Sequence, residues 1–439
     1  MNIAAISSPH GPGGIAVIRV SGPDAIAHTD LHFKPHNPAH TLSGRPTHTL
    51  TFGLFVTPDG ETLDEVVCAL YRAPHSFTGE DVVEISCHGS VYIQQQILDT
   101  LLHPGADCGL PAIRLAEPGE YTRRAYAHGK MDLTQAEAVA DLIASRNAAQ
   151  HRIAISQMKG SISRRLEALH DQLLKLTSLL ELELDFSEED VIFADRHELL
   201  TLAQSIDTEV VRLSESFRAG NAIKNGIPVA IVGAPNVGKS TLLNALLRDD
   251  RAIVSDIQGT TRDLIEDTMT LGGYLFRFID TAGIRHTNNP IEQMGIERSV
   301  SAAQKAQIVL LLNEPGVDFP DVPVRDGQTV IRITNKTEDF RAIDGTGLPA
   351  LEHQLIGIAQ STQEADGGLI ITHLRHKEAL DQAHHDIQNV IQGLEMHLTG
   401  DLIAEDLHAV IASLNSILGK TITSQDTLNE IFSHFCIGK

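Results

Sequence analysis

The sequence predicts a multidomain chain of α/β plus α class. An N-terminal α/β domain comes first, then an α-helical domain interrupted by a P-loop α/β domain of Ras-like type. Three observations predict this. The chain has 439 residues, more than one core usually serves, so about three domains are expected. Its texture runs strand-like, helical, alternating, then helical again. Alternation of strand, glycine loop and helix signals a parallel sheet, and helix on both sides of it signals an insertion. Inside the alternating block stands one phosphate-loop signature, "GAPNVGKS". The expected boundaries are 1–118, 119–218, 219–368 and 369–439, with the second and fourth segments forming one helical domain.

The N-terminal stretch carries "GGIAVIRVSG" and "DVVEISCHGS", two runs rich in Val and Ile and bounded by Gly and Ser, which read as strands. Arg19 lies between Ile18 and Val20, and Glu84 between Val83 and Ile85. Period two places each charge opposite its neighbours, so a solvated sheet face is the plain expectation. "GPGG" at Gly11 has the G-x-x-G form of an RNA-clamping loop, but it precedes a strand rather than joining two helices. His28, His32, His36 and His40 recur every four residues. Pro35 and Pro38 would interrupt the helix that could gather them on a metal.

From about residue 119 the sequence is Ala-rich with few breakers. Leu166, Leu169, Leu173, Leu176 and Leu180 alternate steps of three and four, one apolar helix stripe suited to a bundle core. "DFSEEDVIF" closes that helix with an acidic loop, and a further helix runs to about Arg218. After "EADGG" helix returns in "ITHLRHKEALDQAHHDIQNVI" and "AEDLHAVIASLNSIL".

Composition narrows the function. The formal net charge is −23, which argues against gripping nucleic acid through a general positive field. Any RNA contact needs a local basic patch or a partner. The four cysteines form no C-x-x-C pair and no zinc spacing. With no signal peptide, a reducing cytosol is expected, and no apolar run is long enough to span a bilayer. Cys436, in "FCIGK", occupies the first position of a C-a-a-X box. Gly438 is not aliphatic, Lys439 is not a usual final residue, and no polybasic run precedes them. Two readings stay open: a buried thiol in a docked helix, or a thiol delivered to a site elsewhere.

The phosphate loop is the strongest local signal. Gly233, Gly238, Lys239 and Ser240 fit G-x-x-x-x-G-K-[ST], between an apolar strand and a Leu-rich helix. The glycines let backbone N–H groups wrap phosphates, and the helix N-terminus adds partial positive charge. Lys239 would reach the β/γ-phosphates and Ser240 would bind Mg²⁺. Downstream, "GTTRD" places Thr260 and Thr261 on a loop where a threonine can meet Mg²⁺ and the γ-phosphate. "FRFIDTAG" ends a strand on Asp280, a Walker B carboxylate, with Gly283 able to donate to the γ-phosphate. "NKTE", Asn335 to Glu338, resembles the guanine-reading N-K-x-D. Its carboxylate is one methylene longer, Asp339 stands beside it, and the usual following S-A dipeptide is missing. GTP over ATP is the expectation.

Ras-type enzymes orient water with a Gln after D-T-A-G; this chain has Ile284. Asn236, inside the phosphate loop, could hold a monovalent cation that supplies the charge of an arginine finger. Glu292 could reach back to polarise water, although its spacing also suits a solvated helix start.

Eight segments together carry a resemblance: "GGIAVIRVSG", "FTGEDVVEISCHG", "EPGEYTRRAYAHGKMDLTQAEAVADLI", "GAPNVGKSTLLNAL", "GTTRD", "DTAGIR", "GIERS" and "FCIGK". Over essentially its whole length the chain resembles the MnmE (TrmE) family of tRNA-modifying GTPases. The resemblance implies a folate-binding, dimerising N-terminal domain, a helical domain and an inserted GTPase domain. It implies a homodimer with K⁺-dependent pairing of the GTPase domains. Asn236 matches a K⁺ ligand, with Ser255, Ile257 and Thr260 at the other K⁺ positions; Ser240 and Thr261 match the Mg²⁺ ligands. Glu292 matches the residue assigned to water activation, beside Lys239, Asn236 and Cys436 in the catalytic set. The GTP pocket would comprise Asn236, Val237, Gly238, Lys239, Ser240 and Thr241, then Ser255, Asp256, Ile257, Gln258, Gly259, Thr260 and Thr261. Asp280, Thr281, Ala282, Gly283, Asn335, Lys336 and Glu338 complete it.

Arg19, Glu84, Lys130 and Lys439 match positions that contact a tetrahydrofolate derivative, 5-formyl or 5,10-methylene. The C-terminal tail would return to the folate domain, with Cys436 a thiol needed for modification. The implied partner is the FAD-binding protein MnmG (GidA), in a heterotetramer-type complex. The implied reaction adds a carboxymethylaminomethyl or aminomethyl group to the wobble uridine of certain tRNAs, in the cytoplasm. Two other readings compete. A ribosome-assembly GTPase switch would need an RNA-binding appendage and a basic surface, which are not evident. A non-catalytic scaffold is opposed by the intact Lys239, Ser240, Thr261 and Asp280.

Overall fold

The computed structural model describes residues 1–105, 109–185, 196–247, 267–279, 301–325, 327–364, 369–420, 425–433 and 435–438. They group into two compact units. One comprises Met1–Ile143, Met158–Ser163 and Leu418–Lys439; the other comprises Ala144–Gln157 and Arg164–Ile417. The chain is therefore of multidomain α/β plus α class.

The first unit is built on a seven-stranded sheet. Its strands are β1 (Asn2–Ile6), β2 (Ile15–Ser21), β3 (Phe33–Pro35), β4 (Thr49–Val56), β5 (Thr62–Tyr71), β6 (Val82–His88) and β7 (Ile113–Leu115). Their order is β3-β4-β5-β6-β2-β1-β7, and every pairing is antiparallel except β1 with β7. Alternate residues bury one face: Ile18, Val20, Val83, Ile85, Phe55 and Leu70 join residues of α1 (Ala25–His32) and α2 (Val91–Leu102) in one core. The other face carries α3 (Glu120–Ala127), whose Tyr121 packs with Ile3, Ala5, Ala116 and Phe77. Beyond it, α4 (Leu133–Ala144) buries Leu133 and Ala136 against Phe432 and Phe435 near the chain's end. The four-residue histidine pattern stops where the prolines require: α1 ends at His32 and the backbone becomes β3. His28 is buried against the carbonyl of Pro111 at 2.6 Å.

An ion network fastens α3. Glu120 accepts two hydrogen bonds from Arg114, both 2.7 Å, two from Arg124 at 2.9 and 3.3 Å, and one from the Glu117 N–H at 2.8 Å. Arg124 also reaches Glu80 at 2.9 Å. Burial alone would raise the Glu120 carboxyl, but the guanidinium of Arg114, the Glu117 amide and Arg124 outweigh it and lower the pKa to about 2.

The second unit contains a five-stranded sheet of β8 (Ile227–Gly233), β9 (Asp267–Leu271), β10 (Tyr274–Phe278), β11 (Ile308–Asn313) and β12 (Thr329–Thr334). The order is β12-β11-β8-β10-β9. All neighbours are parallel except β9, which turns back through Gly272 and Gly273, both at positive φ. Two successive left-handed residues make the tight hairpin turn that matches strand twist. Its helices are α5 (Ala148–Met158), α6 (Ser161–Asp185), α7 (Arg196–Asn225), α8 (Lys239–Leu247), α9 (Leu348–Glu364), α10 (Leu374–Glu395) and α11 (Gly400–Leu418). All five leucines of the α6 stripe are buried.

The structure corrects one expected end. The helix read as ending near Arg218 is α7, and it runs on to Asn225. Gly220 looks like a breaker, but a Cβ there would stand 2.0 Å from the Ile371 carbonyl oxygen. The glycine serves close approach of two backbones, and Ser216 Oγ accepts from the Ile371 N–H at 3.1 Å beside it.

The folded Glu120 carboxyl titrates below its unfolded value, so its contribution is complete above about pH 4.5 and is lost as pH falls through about 2. The shift corresponds to about 3 kcal/mol. Glu120→Gln is expected to lower the melting temperature at neutral pH and to flatten the loss of stability between pH 4.5 and 2. Acid titrations of both proteins by circular dichroism check this; parallel curves would contradict it.

Candidate functional site: a phosphate loop, a base loop and a second charged site

The strand that delivers the phosphate loop is apolar and central. In β8, Val229, Ala230, Ile231 and Val232 are all buried. The strand has β11 on one side and β10 on the other, so the order reverses at its C-terminal end, where α/β sheets place ligands. Gly233 ends the strand; a Cβ there would lie 2.6 Å from the Leu312 carbonyl oxygen on β11. Asn236 and Gly238 have φ of 63° and 100°. Val237 points inward, 2% exposed, and anchors the loop. Lys239 opens α8, and its ammonium donates to the carbonyls of Gly233 (2.7 Å) and Ala234 (2.8 Å). Burial lowers the Lys239 pKa. Ser240 and Thr241 sit half-buried in the same first turn, where helix N–H groups face outward for an anion.

The base loop follows β12. Asn335 is 4% exposed. Its Nδ2 donates to the Val237 carbonyl at 2.8 Å, and its Oδ1 accepts from the Ala342 N–H at 3.0 Å. Gly238 must lack a Cβ for this, since one would lie 2.3 Å from Asn335 Nδ2. Lys336, at φ 63°, donates to Glu314 Oε2 at 2.5 Å and to the Asn236 carbonyl at 3.4 Å. Thr337 Oγ1 accepts from the Phe340 N–H at 3.0 Å, which closes the turn bearing Glu338 and Asp339, both exposed. Thus Asn236, Val237, Gly238, Lys239, Asn335 and Lys336 are brought together. Ser255, Asp256, Ile257, Gln258, Gly259, Thr260, Thr261, Asp280, Thr281, Ala282, Gly283 and Glu292 lie outside the described residues.

A second charged site lies on the first unit's sheet, and here the solvated-face expectation fails. Arg19 and Glu84 are cross-strand partners on β2 and β6. Arg19 donates to Glu84 Oε1 from Nε (2.9 Å) and Nη2 (2.6 Å), with side chains only 13% and 26% exposed. Period two did place them on one face; α3 and the C-terminal tail cover it. The Arg19 guanidinium lies 5.5 Å from the Tyr121 ring centroid and 5.9 Å from that of Phe77, within cation–π range. The tail closes the site. Arg19 Nη1 (3.2 Å) and Ser7 Oγ (3.0 Å) both donate to the Gly438 carbonyl. The Gly119 N–H donates to the Cys436 carbonyl at 3.4 Å. Gly119 has φ 65°, and a Cβ there would be 2.8 Å from the Phe432 carbonyl oxygen. Cys436 is exposed, whereas Cys68 and Cys87 are buried; burial pushes the Cys87 thiol up to about 11. Lys130 is exposed and donates to the Pro74 carbonyl at 2.8 Å. Lys439 lies outside the described residues.

Four contributors escaped the reading of individual residues. Tyr121, Phe77 and Ser7 frame Arg19, and Glu314 holds Lys336. Two signals were available for the aromatics: scarcity, since Phe, Trp and Tyr make up 4% of the chain, and their place in two of the segments that carry the family resemblance. Among the described residues no cluster of three or more His, Cys, Asp or Glu could hold a metal, and no helix is long and apolar enough to cross a membrane.

Comparison with known proteins agrees across the whole chain. A profile described as "MnmE helical domain" matches residues 133–436, and one described as "GTP-binding protein TrmE N-terminus" matches residues 2–130. A protein of Parabacteroides distasonis named "tRNA modification GTPase MnmE" is 50% identical, with 100% of this chain and 99% of the relative covered. Proteins of the same name from Porphyromonas gingivalis (46%; 100% and 98%) and Flavobacterium johnsoniae (44%; 100% and 99%) align likewise.

Asn335→Ala removes a buried carboxamide and strands the Val237 carbonyl and the Ala342 N–H. Such losses cost about 1–3 kcal/mol each. Titration with a fluorescent GTP analogue should show affinity weakened by at least about tenfold; an unchanged Kd would refute the coupling of the two loops.

Proposed function

The chain belongs to the MnmE family of tRNA modification GTPases, and from that premise we propose that it couples GTP hydrolysis to modification of a tRNA wobble uridine. The product carries a carboxymethylaminomethyl or aminomethyl group. The observation that supports this most is the bond from Asn335 to the Val237 carbonyl, which builds the base loop and the phosphate loop as one site. Lys239 and the first turn of α8 receive the β/γ-phosphates, and Asn335, Lys336 and Glu338 read the guanine. Ser240 and Thr261 hold Mg²⁺. Asn236 holds K⁺ with Ser255, Ile257 and Thr260; its exposed carboxamide, at φ 63°, suits that role. Potassium there supplies positive charge that an arginine finger supplies in other GTPases. Glu292 orients the attacking water.

The second site takes the one-carbon donor, a tetrahydrofolate derivative. A partly buried carboxylate such as Glu84 suits an aminopyrimidine edge, and Arg19, Lys130 and Lys439 suit a glutamate tail. The tail that closes this site also carries Cys436 to it. The protein works as a homodimer through its N-terminal domain. Leu50 and Phe52 on β4 and Ile15 on β2 stand exposed on that sheet, with Leu50 in the cross-strand row of Glu84 and Arg19. A second copy would cover this apolar face. We assign residues 1–118 to the folate domain, 119–218 and 369–439 to the helical domain, and 219–368 to the GTPase domain. With a net charge of −23, the chain meets tRNA through an FAD-binding partner, in the cytosol.

Two measurements test the reading together. GTP turnover should be at least about tenfold faster in K⁺ than in Na⁺ at equal ionic strength, and tRNA from cells lacking the gene should lose the wobble modification. Equal turnover in both salts would refute the potassium assignment; fully modified tRNA in those cells would refute the substrate.

A further inference from the structure

Glu314 directly follows β11, in the turn "NEPGV". That turn is braced: Asn313 Nδ2 donates to the Val317 carbonyl at 2.7 Å, and the Val317 N–H donates to the Glu314 carbonyl at 3.1 Å. The carboxylate is thus presented from a fixed backbone. It accepts from the Lys336 ammonium at 2.5 Å, and the same ammonium donates to the Asn236 carbonyl at 3.4 Å. Three segments, the end of β11, the base loop and the phosphate loop, therefore meet at one charge. Lys336 and Asn236 both hold φ 63°, a left-handed conformation that asparagine enters readily but that is uncommon for a lysine.

We propose that Glu314 is a positioning residue of the GTP site, which fixes the Lys336 side chain between the base loop and the phosphate loop before nucleotide arrives. A lysine has four rotatable bonds and loses much rotamer freedom when immobilised. A carboxylate that immobilises it in advance removes that cost from nucleotide binding. The pair itself is half exposed, 52% at Lys336 and 41% at Glu314, and ion pairs of that exposure add little to fold stability. Its effect belongs on ligand binding. This inference rests on reading Asn335–Glu338 as the base loop.

The test uses the full chain and steady-state GTP hydrolysis. Glu314→Gln is expected to raise KM for GTP about five- to tenfold, with kcat kept within about twofold and the melting temperature within about 2 °C. Glu314→Asp should restore part of the affinity. In a Lys336→Met background, which itself raises KM, Glu314→Gln should add nothing further. An unchanged KM in Glu314→Gln, with Lys336→Met still impaired, overturns the inference and leaves the base loop standing. Full additivity in the double variant, or a drop in melting temperature that accompanies lost kcat, also overturns it. An unchanged KM in Lys336→Met would instead sink the base-loop reading on which the inference stands.

Discussion

A buried carboxamide holds the nucleotide site together. Asn335 spends one side of its amide on the Val237 carbonyl and the other on the Ala342 N–H. A buried polar group of this kind is costly unless fully bonded. Both loops must therefore keep one relative position. Gly238 is glycine because Asn335 stands where its Cβ would be, and Val237 is apolar because its side chain seats the loop in the core. The signature "GAPNVGKS" and the distant "NKTE" are in this sense one motif, cut in two by the order of strands in the sheet.

The connection between helices and sheet in the second unit follows the same logic of close backbone approach. Helix α7 does not stop at its glycine; it carries the chain to β8. Gln150 of α5 donates to the Lys224 carbonyl at the end of α7, at 2.9 Å. Gln157, two turns further along the same face of α5, donates to the Ile370 carbonyl at 2.9 Å where the chain leaves the α/β segment. One short helix thus bonds to the chain both where it enters that segment and where it leaves. Gly220 and Ser216 supply the space and the acceptor that let Ile371 pass beside α7.

In the first unit a charge pair is sheltered rather than solvated. Arg19 meets two aromatic rings and the C-terminal tail, and Glu84 pairs with it. Aromatic faces attract a guanidinium and exclude water from it. The Gly438 carbonyl takes a remaining donor. Tail docking needs Gly119, whose left-handed backbone and missing side chain admit Phe432 and Phe435. Of the two readings open for Cys436, the buried thiol does not hold. Cys436 is exposed, on a tail bonded to the first unit's sheet.

By itself the sequence determined the fold class, the phosphate loop and the helical stripe of Leu166 to Leu180. Each of these is written in local spacing, which obeys the periods of helix and strand or the chain's need for glycine at a tight turn. Family membership was legible for the same reason, through contiguous segments. Only the tertiary structure decided which face of β2 and β6 is wet, that α7 continues past Gly220, and that Glu314 meets Lys336. Those outcomes depend on what arrives from 22 to 419 residues away, and no local period encodes the identity of a distant neighbour.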